Sequence, residues 1–243
     1  TYEIHQYKNW LLDTVANLVD DSDIAIASAG LLKNGGVAWV SIELPDNLQT
    51  PQGFDIRPQL LATTSHDGSL ATTFKQTATA VVCDNTLAWG LRDGGQVSRV
   101  RHTTNSGFKL QNVREALDLV HLAGDDVMAE IERLSNIKVN DFQFDRILKN
   151  LIPVPSLDTS NQAGVTRATN KKAKIRNLWN EDERVTQWKG TALGVIQAFN
   201  TYDHHYMGKK EKRVERNMNN ALTGRTAKAD DLVLQTVLET VGA

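Results

Sequence analysis

Two tight-turn signals in the first seventy residues constrain this chain more than anything else in it. Asn34-Gly35-Gly36 lies between IAIASAGLLK and VAWVSIELP, and Asp67-Gly68 lies between QLLATTSH and SLATTFK. A tight hairpin turn needs positive φ at its centre, which Asn, Asp and Gly adopt at little steric cost. The flanking runs, rich in Val, Ile, Leu, Trp and Thr, read as strands. Residues 24–44 and 59–75 are therefore expected to form two β-hairpins. With Asp67-Gly68 as a two-residue turn, His66 faces Ser69 and Leu61 faces Phe74. That register puts Leu61, Leu70 and Phe74 on one buried face and His66 on the other, at the hairpin tip.

Helical periodicity frames these hairpins. Trp10, Leu11, Thr14, Val15, Leu18 and Val19 make one stripe of an opening helix. After the second hairpin the strand is expected to continue to Cys83. Asp84 or Asn85 then caps a short helix over TLAWGLRD, closed by Gly94-Gly95. QVSRVRH at 96–102 reads as another strand. A long helical stripe follows through Leu117, Val120, Ile131 and Leu134, and a shorter helix at 140–152 ends at Pro153. SLDTSNQAGVT at 156–166 reads as a linker, and beyond it the pattern is helical to the end. The expected class is α+β. An antiparallel sheet of hairpins packs against helices over 1–155, and a basic helical region follows over 156–243, packed on that core.

Charge is distributed unevenly. Residues 161–243 carry 14 Lys and Arg against 9 Asp and Glu, a net of +5, whereas residues 1–160 carry the remaining 13 against 20, a net of −7. An acidic front and a basic back suit a nucleic-acid partner, head-to-tail self-association or simply two differently solvated faces. One cysteine excludes an internal disulfide and a multi-cysteine metal site, and fits a reducing cytoplasm. No apolar run is long enough for a membrane span, so no membrane partner is expected.

Motifs that would carry catalysis are missing. There is no Walker loop, G-x-G-x-x-G, G-x-S-x-G or H-E-x-x-H, so neither a nucleotide nor a metal cofactor is expected. Among the histidines, His66, His102, His204 and His205 have polar neighbours. Asp203-His204-His205 is the most metal-like cluster, but adjacent helical histidines diverge. Asp67 is explained by its turn and Asp84 by its cap. Cys83 has no base beside it. The segment Arg167–Arg176 concentrates Arg167, Lys171, Lys172, Lys174 and Arg176 without an acid, and Trp179 and Trp188 lie close by. Basic side chains interleaved with aromatics suit single-stranded nucleic acid. A solvated basic helix whose Trp residues face the core accounts for the same pattern.

As a set, GLLKNGGVAWVSIELP, LLATTSHDGS, VVCDNTL, RVRHT, NLIPVP and GTALGVIQAFNTYDHH resemble the phage/plasmid-like proteins built on a domain of unknown function. The resemblance runs from Tyr2 to about Gly224. It departs at the start, where the family usually carries a further region before the segment seen here as Tyr2–Gln6. It departs again at Gln197-Ala198-Phe199-Asn200, where members usually have Asn-Ala. The order of elements is similar to that of phage single-strand annealing proteins, which work as rings or filaments without ATP. This implies a cytoplasmic, ATP-independent homo-oligomer that binds and anneals single-stranded DNA. Arg99, Arg101, Lys171, Lys172, Lys174 and Arg176 would then contact phosphates, with His66 near the strand. The alternatives are a metal-dependent hydrolase or nuclease using His66, Asp67, His102, Asp203 and His204, and a non-catalytic interaction protein, such as one that counters host defence.

Overall fold

The computed structural model describes residues 4–13, 15–16, 25–43, 47–50, 53, 55–80, 85–87, 97–100, 127–155 and 162–242. They fall into two compact units, Thr1–Ala129 and Glu130–Ala243. The first is built on an antiparallel sheet and the second is helical, so the protein is α+β.

Among the described residues the sheet of the first unit has seven strands: β1 (Ala25–Leu32), β2 (Val37–Glu43), β3 (Leu48–Gln49), β4 (Asp55–Ser65), β5 (Thr72–Ala80), β6 (Asn85–Leu87) and β7 (Val97–Val100). The order is β1-β2-β4-β5-β6, with β3 paired to β4 and β7 to β5. Both expected hairpins are present, β1–β2 and β4–β5. In the first, positive φ falls on Lys33, Asn34 and Gly35, while Gly36 is right-handed at φ −70°.

The second hairpin is wider than a two-residue turn. β4 ends at Ser65 and β5 starts at Thr72, their last paired residues are Thr63 and Thr73, and the register sets Ala62 opposite Phe74 and Leu61 opposite Lys75. The shift of one residue moves Leu61 off the face that Phe74 occupies. The cause is local. Ser65 Oγ donates to the carbonyl of Leu70 and accepts from its N–H, and the Ser69 N–H donates to Asp67 Oδ1, so side chains close a six-residue loop. Gly68 has the expected positive φ, 72°.

Phe74 packs with Ala38, Val40, Ile42, Leu60 and Ala62 on one face of the sheet. The opening helical segment α1 (Lys8–Leu12, wound as a π-helix) covers that face with Leu11, joined by Val15. Each large apolar side chain buried in this way contributes about 1.5–3 kcal/mol. Trp39, Leu61 and Thr63, on the other face, are buried too. Asn85–Leu87 is a strand rather than the start of a capped helix. Its three residues pair with Ala78–Ala80, and ladder hydrogen bonds outweigh a weak helical preference. Cys83, Asp84 and the remaining TLAWGLRD residues, 88–93, lie outside the described residues.

The second unit begins within a helix whose described part, α2, covers 127–136. It continues with α3 (Asp141–Leu151), α4 (Gln162–Glu181), α5 (Glu183–Thr186), α6 (Ala192–His205), α7 (Arg213–Leu222) and α8 (Arg225–Val241). Gln162–Thr166, expected in a linker, is the first turn of α4. α3 opens with a reciprocal capping box between Asn140 and Gln143. α4 buries Ile175, Leu178 and Trp179, and the Trp179 ring stacks on Phe144 at 4.4 Å and donates to Asp141 Oδ1 at 3.1 Å.

The G-T-x-x-G start of α6 is explained by packing. Thr191 caps the helix by accepting from the Gly194 N–H at 3.1 Å. A Cβ on Gly194 would lie 2.2 Å from the Trp188 carbonyl oxygen, so only glycine fits there. No helix among the described residues is long and apolar enough to cross a membrane.

Candidate functional site

The TTSHDGS segment is where the two hairpin tips of the first unit meet. Because β2 pairs with β4, the loops Lys33–Gly36 and His66–Ala71 are neighbours. The His66 N–H donates to the Gly36 carbonyl at 2.9 Å and extends the ladder by one rung. Lys33 Nζ donates to Ser69 Oγ at 2.8 Å and lies 3.7 Å from Asp67 Oδ2. Gly36 leaves room for that carboxylate, since a Cβ there would meet Asp67 Oδ2 at 3.2 Å. Hydrogen bonds from Ser69, helped by Lys33, hold the Asp67 carboxyl below its usual range. Asp67 thus ties the loops together.

The opening segment clamps both tips. Tyr7 donates its hydroxyl to the Gly35 carbonyl at 2.6 Å, and its ring stacks on His66 at 3.6 Å. His5 stacks on Trp10, and its Nδ1 is 2.8 Å from Thr72 Oγ1, which is in turn 2.8 Å from Thr64 Oγ1. These buried hydroxyls and the imidazole satisfy one another, which is what burial of polar groups requires. His66 Nε2 is sealed from water and finds no hydrogen-bond partner among the described residues. His5, Tyr7 and Thr72 escape a reading of short motifs because their partners are distant in sequence.

The basic run lies on α4, in the second unit. Arg167, Lys171 and Lys174 follow one another at helical spacing on one side of α4. Lys171 Nζ stands 5.0 Å over the Tyr202 ring and 3.8 Å from Asp203 Oδ1. Lys174 Nζ stands 3.9 Å over the Tyr206 ring, whose hydroxyl accepts from Arg184 at 3.1 Å. Tyr206 is 39% exposed. Arg176 is bound to Asp145 of α3. Lys172 is half-buried. Trp179 and Trp188 are buried, at 1% and 5% exposure, so the aromatic partners of this cationic row are the two tyrosines of α6. Of the other candidate phosphate contacts, Arg99 belongs to β7, where its backbone pairs with Thr73, whereas Arg101 and His102 lie outside the described residues.

Beneath the row lies a buried polar stripe. Gln197, Asn200 and Thr201 of α6 are buried, as is Asp230 of α8, at 4% exposure. Among the described residues neither Asp230 Oδ2 nor Asn200 Nδ2 completes a hydrogen bond, and Asp203 Oδ1 is sealed from water with only the ion pair to Lys171. Burial, reinforced by Asp203 and Asp231, pushes the Asp230 carboxyl well above the carboxylate range. Burial also raises Asp203, while Lys171 and Arg216 pull it back. The half-buried His204 ring is pushed down to about 4 by desolvation, with His205 and Arg216 adding to the effect. Arg216 donates to the Asp203 carbonyl at 2.5 Å and Asn217 Nδ2 to the His204 carbonyl at 3.0 Å, holding α7 to the end of α6. Sequence could have flagged Asp230, because it falls on the stripe that continues through Val233 and Val237.

His66 and Asp67 belong to the first unit and Asp203 and His204 to the second. Among the described residues no three His, Cys, Asp or Glu side chains come together to hold a metal ion.

These features define an α+β protein with a clamped antiparallel sheet in one unit and a cation–tyrosine row above a buried acidic stripe in the other. The chain belongs to the family described as Domain of unknown function (DUF932), which matches it over residues 1–223. No curated protein and no solved structure matches it.

Proposed function

We propose that this protein is a single-stranded-DNA-binding and annealing protein of the phage or plasmid type, acting in the cytoplasm as an ATP-independent homo-oligomer, ring or filament. The observation that carries this reading is the row of Arg167, Lys171 and Lys174 on α4 beside Tyr202 and Tyr206 on α6. Cations repeating once per helical turn next to aromatic rings offer a strand both phosphate contacts and surfaces on which bases stack. The internal partners of these cations are weak competitors. Lys171 and Asp203 are both about a third exposed, and such a pair holds only about 0–1 kcal/mol. A phosphate can therefore take the place of Asp203 at little cost. Lys172, Arg176, Arg99 and Arg101 extend the same reading, with His66 and its stacked Tyr7 as a second place for a base.

Fluorescence anisotropy with a labelled oligonucleotide tests it. Binding to single strands should exceed binding to duplex and weaken steeply with salt. Each lost phosphate contact on a single strand lowers the log–log salt slope by about 0.7, so Lys171→Ala with Lys174→Ala should flatten it by roughly 1.4. No binding at low salt by the full chain would overturn the proposal.

A further inference from the structure

Strand β1 ends the sheet, and among the described residues no strand pairs with its outer side. Free edges in stable monomers are usually blunted by charge, proline or a covering element. Here none of the eight residues of β1, AIASAGLL, is charged or a proline. Its first five are exposed.

The apolar face of the sheet also runs on past its cover. Ile26 is opposite Ile42 and Leu31 is opposite Ala38, so both share the face of the Phe74 core. Yet Ile26 is 52% and Leu31 63% exposed. On the other face the edge is closed, because the Trp39 ring lies against Gly30, where a Cβ would come within 3.0 Å. One side of β1 thus presents two exposed aliphatic side chains and a backbone that no described residue pairs.

We infer that β1 is the self-association edge of this protein, pairing antiparallel with β1 of a second copy. This deepens the proposed function and rests on the self-association within it. Counting the bulged Ala27 and Ser28 as one rung, the strand is self-complementary about Ala29. In that register Ile26 lies opposite Leu31 of the second copy and Leu31 opposite its Ile26, joining the two uncovered patches on one face. Directly opposed aliphatic pairs are the unit of sheet stabilisation. The bulge between Ile26 and Ser28 is what brings both side chains to that face despite their odd separation. The contact is isologous and two-fold, so it closes a dimer and leaves other surfaces to extend a larger assembly.

Sedimentation velocity over a concentration series, with and without oligonucleotide, tests this on the full chain. Wild type should self-associate, and Ile26→Lys or Leu31→Lys, both at exposed positions, should raise the association midpoint at least about tenfold while leaving the melting temperature of dilute protein unchanged. The register is tested separately in a Cys83→Ser background. Ile26→Cys protein mixed with Leu31→Cys protein should form a disulfide-linked dimer on oxidation, and neither alone should. Should wild type associate while both lysine variants keep its midpoint and the mixture fails to cross-link, the edge assignment is wrong and self-association stands on another surface. A wild type that stays monomeric at tens of micromolar in both conditions overturns the oligomer in the proposed function together with this interface.

Discussion

Apart from His66 Nε2, the two units bury polar groups in opposite ways. In the first, His5, Thr64, Ser65 and Thr72 lie deep in the structure and hydrogen-bond one another or the loop backbone. In the second, Asp230 and Asn200 are buried with one polar atom each, Oδ2 and Nδ2, that completes no hydrogen bond among the described residues. A satisfied buried network fixes a unique geometry, whereas an under-satisfied one stores a cost that a change in protonation or a new partner can relieve. The motif that looks most like an enzyme's, TTSHDGS, is thus architectural at Asp67, Gly68 and Ser69. The unit that looks like an ordinary helical tail holds the perturbed groups.

The largest test of this contrast is Thr72→Val in the first unit. It keeps the shape and takes one hydrogen bond each from His5 and Thr64, so we expect a loss of about 2 kcal/mol in denaturant unfolding. A neutral result would mean that the network is ornamental.

The second unit should respond with the opposite sign. Asp230 has a folded pKa raised above its unfolded value by burial first, then by Asp203 and Asp231. Its contribution to stability is therefore full below the ordinary carboxylate range and is lost as pH rises toward the raised pKa. Asp230→Asn removes the titration, so it should stabilise the protein by on the order of 1 kcal/mol at pH 8, with the gain vanishing in acid. Thermal melts of both proteins across pH measure the difference. A variant less stable than wild type at pH 8 would show that the carboxylate has a partner worth keeping.

The smallest expected effect is at Arg176. Its ion pair with Asp145 joins two half-exposed side chains, and such pairs contribute about 0.2–1 kcal/mol. Arg176→Ala should leave unfolding almost unchanged while lowering oligonucleotide affinity. A large drop in stability with unaltered binding would make the basic run a brace between α3 and α4 instead of a surface for phosphates.

Legibility from sequence followed the range of the interactions. Both hairpins, α3 and α6 could be read because turn glycines, a capping box and helical periodicity act over a few residues. The one-residue register error at Leu61 arose because Ser65 reaches across the loop to Leu70, a choice of loop closure that Asp-Gly alone does not dictate. Asn85–Leu87 carries a helical signal locally but is a strand because its identity comes from pairing with β5. The basic run was visible, but its real aromatic neighbours were not. Trp179 and Trp188 are nearest in sequence and buried, while Tyr202 and Tyr206 are brought over by the packing of α6 on α4.

The clamp that His5 and Tyr7 place on the hairpin tips has a consequence for how the chain is made. His5 and Thr72 are 67 residues apart, and Tyr7 and Gly35 are 28. At a synthesis rate of about 5–20 residues per second, Thr72 leaves the ribosome roughly 3–13 s after His5. Until then His5 lacks its partner and only the Tyr7–Gly35 half of the clamp can form, over a sheet still missing β5. Folding of the first unit is thus timed by translation. Slowing codons just after β5 would give the clamp time to engage before the second unit emerges.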